Sequence, residues 1–316
     1  EEVGGSMMCQ SPQARQGDVA PQVIMLVSKP PSPAVAEAIL DQVAQSDKPT
    51  VIGFMGAKPA IGNRALEAEA DRRPAPTGSA ASTQVDAQPQ GSPGANSIRW
   101  FAATLQETAL LAAKAAGANI DVAQVIATEE TTLKAQAAEL RSKLKPDQKY
   151  LRGLFSGGTL CYEAQVIWRD WLKELVLSNA PLRHEQQLAD SLRSVKHTCV
   201  DLGEEEFTVG RPHPMIDNDL RIRRLLQEAR DPEVAVIMLD VVIGYGAHPD
   251  PASELGPAIR HAKQQASGEL IVVASVTGTE QDPQRLSVQV AALQSAGAIV
   301  CDSNAAAAKL VAIIVG

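Results

Sequence analysis

Val234–Leu239 is apolar without a break and Leu270–Val276 is broken only by Ser275, and these two runs narrow the fold more than any other feature of the sequence. A strand with one face in water alternates apolar and polar residues, whereas a strand covered on both faces does not. Only 3% of the residues are aromatic. The cores must therefore be built from Ala, Val, Ile and Leu, which suits helices packed on a parallel sheet. From Tyr150 onward, strand and helix patterns alternate. Strands are predicted at Tyr150–Phe155, His197–Asp201, Val234–Leu239, Leu270–Val276 and Ile299–Cys301, each followed by a helical pattern. Asp217 or Asn218 is placed to cap a helix whose apolar stripe is Ile222, Leu225, Leu226 and Ala229, and Asp231-Pro232 ends it. Pro283 is expected in a first helical turn and Gly297 at a helix C-terminus. The fold class predicted is α/β, a doubly wound parallel sheet over residues 150–316.

The first part of the chain carries a shorter version of the same plan. Val23-Ile24-Met25-Leu26 recurs as Val236-Ile237-Met238-Leu239. Thr50–Phe54, followed by Gly56, reads as a second strand, Ile98–Ala102 as a third, and Leu105 to Ala116 as a helix. That order matches the last strands of the second domain, so residues 1–56 and 98–117 are expected to form a partial α/β domain. Residues 57–97 contain no aromatic and are rich in Ala, Pro, Gly, Ser and Gln, which predicts a flexible linker. Residues 118–149 read as a helical connector.

No apolar run approaches the roughly eighteen residues of a membrane span, and residues 1–20 lack the order of a signal peptide, so a cytoplasmic chain with no membrane partner is expected. The net charge of -8 argues against a nucleic-acid partner. Cys9, Cys161, Cys199 and Cys301 lie far apart and read as reduced thiols with no metal site.

In open parallel sheets ligands bind beyond the carboxyl ends of the strands, where the strand order reverses. The loop there after the first strand is Ser156-Gly157-Gly158-Thr159. Its glycines allow close approach to a ligand, and the helix that follows starts with amides lacking intrahelical partners. A phosphate or carboxylate is the expected guest. With a flavodoxin-like order the loop after the third strand faces this one, bringing Asp240, Gly244 and Gly246 to the same crevice, with Thr277, Gly278 and Thr279 on the next loop. Asp240 is open to two roles, ligand binding or holding neighbouring loop amides. Arg211-Pro212-His213-Pro214 adds the chemistry. Each residue before a proline is extended, so Arg211 and His213 are expected to face one way, Arg211 on an anion and His213 as proton donor. His184, His197, His248 and His261 read as surface or packing residues, and Glu204-Glu205-Glu206 as a solvated turn.

Several strings resemble FdrA-type proteins of the succinyl-CoA synthetase-like superfamily. They are Val3-Gly4-Gly5, Val27–Pro31, Lys48–Val51, Ser156–Leu160, Asp201-Leu202-Gly203, Thr208–Asp217, Leu239–Gly244 and Val276–Glu280. The resemblance implies two flavodoxin-like ligase domains, the first incomplete here, behind a CoA-binding domain that this sequence lacks. CoA would then be used only with a missing domain or partner. It also implies a subunit that transfers an acyl or carbamoyl group and handles a small phosphate or carboxylate anion. Two activities are consistent with that, an oxamate carbamoyltransferase or an acyl-CoA synthetase, and the competing reading is a non-catalytic scaffold or regulatory subunit. A homo-oligomer or a complementary subunit is expected to cover the incomplete first domain. Succinyl-CoA synthetases use a phosphorylated histidine after the strand matching Thr50–Phe54, and no histidine precedes His184. A relay of that type is not expected.

Overall fold

A computed structural model describes residues 21–56 and 99–316. Val3-Gly4-Gly5, Cys9 and the predicted linker lie outside the described residues. The chain divides into two compact units, Glu1–Thr128 and Glu129–Gly316.

In the first unit, β1 (Ile24–Ser28), β2 (Thr50–Phe54) and β3 (Arg99–Phe101) form a parallel sheet in sequence order, with Ile24 opposite Thr50 and Thr50 opposite Arg99. Helix α1 (Pro33–Ala44) begins on a proline, whose fixed φ suits a first turn, and buries Ala36, Ile39 and Val43. These pack with Ile24, Leu26, Ile52 and Phe54. Helix α2 (Leu105–Ala115) is capped by Thr104, whose hydroxyl accepts from Glu107 N at 3.1 Å, and buries Leu111 against Val51. Helix α3 (Val122–Arg141) contains the division between the units, and its two ends serve different cores: Val122 packs with Val51 and Leu111, Leu133 and Ala137 with the second unit.

The second unit is a six-stranded parallel sheet. Its strands are β4 (Tyr150–Phe155), β5 (Leu177–Ser178), β6 (Thr198–Asp201), β7 (Val234–Val242), β8 (Ile271–Thr277) and β9 (Ile299–Cys301), in the order β5-β6-β4-β7-β8-β9. The predicted strands thus stand in the flavodoxin-like order, with the reversal at β4. Strand β5 was not predicted; two residues leave no periodicity to read. Helices α4 (Gly158–Trp171) and α9 (Asn304–Val315) pack on Leu151, Phe155, Val236, Met238, Ile271 and Val273. On the opposite face Leu154, Ile237, Leu239, Val272 and Ala274 meet the short α5 (Glu205–Thr208), α6 (Asp219–Glu228), α7 (Pro251–Gln265) and α8 (Leu286–Ser295). Alternate residues of one strand thus enter opposite cores, which is why the runs carry no polar face. Each fully buried aliphatic side chain contributes about 1.5–3 kcal/mol.

Some local expectations need correction. Pro283 stands outside α8, which begins at Leu286 after Arg285 at φ 56°. Asn218 holds the N-cap place of α6 without a side-chain cap bond; its amide donates to Glu254 Oε2 at 3.1 Å, while Asp217 Oδ1 accepts from Asp219 N at 2.8 Å. Strand β7 continues beyond Leu239, so Asp240 belongs to the strand and not to the loop after it.

Candidate anion site at the sheet reversal

Where β4 gives way to α4, Ser156 is fully buried and Gly157, at φ −173°, holds the N-cap place with no side chain to cap the helix. The first-turn amides of Gly158, Thr159 and Leu160 therefore keep the donor capacity that a Ser or Asp cap would take up. Thr159 is exposed. The turn is latched from beneath: Asp240 Oδ1 accepts from Ser156 N at 2.8 Å and Oδ2 from Ser156 Oγ at 2.6 Å. Asp240 is 0% exposed. Both oxygens are thus engaged by Ser156 and shielded from solvent, the geometry of the amide-holding role. Arg221 on α6 completes the latch, with Nη2 3.2 Å from Asp240 Oδ1 and also donating to the Asp240 carbonyl. Burial lowers the proton affinity of the Arg221 guanidinium, and Asp240 acts against that shift.

The loop from Arg211 to Asp217 folds over the turn. His213 Nδ1 accepts from Met215 N at 3.2 Å, so in the neutral ring the proton sits on Nε2. A β-carbon added to Gly203 would stand 2.8 Å from Ser156 O, 3.0 Å from His213 Nε2 and 3.1 Å from Asp201 Oδ1. Gly203 is thus the space that lets the imidazole approach the Ser156 turn. Met215 covers the turn itself, its Cε 3.0 Å from where a Gly157 β-carbon would be. Arg211 differs from His213 in its surroundings: its side chain is exposed and makes no hydrogen bond or ion pair among the described residues.

The loop after β7 joins this cluster through His248 N, which donates to Met215 O at 2.8 Å. Gly244 and Gly246 have positive φ, 142° and 86°, and Gln284 staples the loop by accepting from Gly244 N and donating to the carbonyls of Gly244 and His248. The staple holds Tyr245 outward, 90% exposed. Thr277 O accepts from Ile243 N at 3.0 Å, and Gly278 lies against the Ile243 side chain. Thr279 turns inward on its own loop, its amide and hydroxyl both bonded to Asp282 Oδ2. That loop is tied to the strand end of β7, and the turn is held by Asp240 and covered by Met215.

Arg221 and Gln284 escaped the sequence reading, and Gly203 and Met215 entered it only within the strings that carry the family resemblance, with no role at the site. Arg221 sits among Asp219, Arg223 and Arg224, a charge pattern that ordinarily marks a solvated helix face. Cys161 and Cys199 lie 3.3 Å apart and buried, and burial pushes the Cys199 thiol well up; that of Cys301 is pushed up to about 12. Among the described residues no group of three or more His, Cys, Asp or Glu is arranged to hold a metal, and no helix is long and apolar enough to cross a membrane.

A parallel sheet in this order, with helices on both faces and a glycine turn at its reversal point, defines a doubly wound α/β protein. Residues 154–314 match the model of the CoA-ligase family, and the chain belongs to that family. It is 38% identical over 310 residues to "Uncharacterized protein YahF" of Escherichia coli (strain K12), covering 96% of this chain and 52% of that protein. A dinucleotide forming acetyl-coenzyme A synthetase 1 from Ca. Korarchaeum cryptofilum, in its apo form, is 13% identical with a TM-score of 0.39, covering 97% of this chain and 55% of that one. The form of that protein in complex with phosphate and ADP gives the same values. The chain spans about half the length of these relatives.

Proposed function

We propose that this chain is an FdrA-like, acyl-CoA synthetase-like subunit in which the Ser156–Leu160 turn holds the phosphate of an acyl phosphate. The observation that carries this reading is the uncapped turn itself, clamped from below by Asp240 and overlooked by His213 Nε2. In such a ligase the CoA thiolate attacks the acyl carbonyl, the carbonyl–phosphate C–O bond breaks, and inorganic phosphate leaves. Amides aimed at the departing oxygens stabilise the charge that develops on them. His213 supplies a hydrogen bond or proton to the same phosphate, and Arg211, free in solvent, closes on it as a bidentate partner. CoA would be held by residues other than those of this turn, in a partner chain or another segment, and the partner would be a second copy or a complementary subunit.

The turn recognises the phosphate head and leaves the acyl group open, so carbamoyl phosphate belongs to the same class of ligand. The oxamate carbamoyltransferase reaction, oxalurate plus phosphate giving oxamate plus carbamoyl phosphate, is the finer form of the proposal. The chain purified with its partners should be assayed for acetyl phosphate plus CoA and for oxalurate plus phosphate. Whichever reaction runs, His213→Ala should lower turnover by about 10²–10⁴. Unchanged turnover overturns the role of His213, and phosphate binding without either reaction supports a scaffold.

A further inference from the structure

Asp240 raises a problem of charge for the anion reading, on which this inference rests. A fully buried carboxylate lies directly beneath the amides that are to receive a phosphate, bonded to the amide and hydroxyl of Ser156. Like charges separated by protein rather than water repel far more strongly than they would in solvent. Left alone, Asp240 would oppose the ligand that its own clamp positions the turn to bind.

Arg221 approaches that carboxylate from α6. It is 2% exposed, with Nη2 3.2 Å from Asp240 Oδ1, and donates to the Asp240 carbonyl as well. Its Nε is buried and finds no partner among the described residues. The neighbouring buried arginines are arranged otherwise. Arg152 meets Glu228 at 2.8 Å and Asp231 at 2.7 Å, and Arg224 meets Glu228 at 2.6 Å and Ser194 Oγ at 2.8 Å, a network in which these guanidinium donors are matched among scaffold groups. Arg221 has one carboxylate, shared with the turn, and one donor idle. A buried charge with an idle donor is a poor structural device, since burying both costs free energy that an apolar side chain would not.

We propose that Arg221 is the positioning residue that makes the Ser156–Thr159 turn receptive to anions, by cancelling the charge of Asp240 while Asp240 holds the turn. It acts through Asp240 and need not touch the ligand. The site is thereby fitted to anions and not to cations.

Titration calorimetry of the full chain with inorganic phosphate, and with sulfate as a second anion, tests this. Arg221→Met should weaken binding by about tenfold or more, and Arg221→Lys, which keeps the charge, by no more than about threefold. Asp240→Asn retains a group of the same shape able to bond both atoms of Ser156 and leaves the Arg221 charge unopposed, so it should bind phosphate at least as tightly as the parent chain. The Arg221→Met, Asp240→Asn pair should return to within about threefold of the parent, because the two opposite charges are removed together. A purely structural role predicts the reverse, weak binding in the single Asn variant and in the pair, and that result overturns the proposal. So does an Arg221→Met chain that binds normally. If Arg221→Met does not fold, Asp240→Asn and the pair decide. A parent chain that binds neither anion sinks the anion reading of the turn together with this inference, whereas a parent that binds normally confines any failure to Arg221.

Discussion

His197 shows how a residue with no place in the chemistry can govern behaviour in solution. It is buried at the end of β6's lead-in, its Nδ1 accepts from Leu151 N at 3.2 Å, and its ring meets Tyr150 edge-on at 5.4 Å. Burial lowers its pKa below the usual 6.5, outweighing the pull of Glu174, with Arg152 and Lys196 adding to the depression. The sign follows from linkage. Above 6.5 neither folded nor unfolded chain holds the proton; below it the unfolded chain takes up a proton that the folded chain refuses. Stability should therefore fall as pH drops through this window, with a slope from this group of at most about 1.4 kcal/mol per pH unit. Urea unfolding of the parent and of His197→Gln, compared between about pH 7.5 and about pH 5.5, checks this. The glutamine variant should lose part of the pH dependence, and identical pH profiles would remove His197 as its source.

At the scale of elements, the junction of β4 and α4 determines where the Ser156–Thr159 turn stands, and its fit depends on Gly153. A β-carbon there would come within 2.6 Å of Trp168 Cη2 and 2.8 Å of Phe155 Cε2. Trp168 has little room to yield, since it is 0% exposed and its indole N–H donates to Ala308 O at 2.9 Å on α9. Gly153→Ala should cost about 1–3 kcal/mol as an overpacked core, read as a lower urea midpoint at unchanged slope. A chain as stable as the parent would show that α4 can shift on its strand. The same junction shows what was legible in the sequence. Unbroken apolar runs and the glycine turn are short-range signals, and they located the strands and the loop that opens the site. The strands were expected in a flavodoxin-like order, and the observed order agrees with it. The approach of Asp240 to the Ser156 turn was legible from the expected strand order, but the contacts of Asp240 with Arg221 and of Gly203 with His213 were not, because they join separate parts of the chain with no pattern to pair them. A charge on an amphipathic helix looks alike whether it faces water or a buried carboxylate. Thr279, by contrast, looked like a ligand group and is bonded within its own loop.

For the whole molecule, the question is how much of the activity belongs to each unit. The family match at residues 154–314 and the residues of the anion cluster all fall within Glu129–Gly316. That unit has its own two-faced core, whereas the described part of the first unit is a three-stranded sheet with two helices and one end of α3. A cut at the division would split helix α3 itself, whose Val122 serves one core and whose Leu133 and Ala137 serve the other. A fragment of residues 118–316, which keeps the helix whole, should therefore unfold in one cooperative transition and bind inorganic phosphate within about threefold of the full chain. Calorimetry on the fragment reads both quantities. Loss of binding in a folded fragment would place part of the anion site in the first unit. Retained binding joined to lost turnover, in the presence of the partners that support it in the full chain, would separate the two tasks: the turn at Ser156 receives the anion, and the first unit is needed for the group transfer that follows.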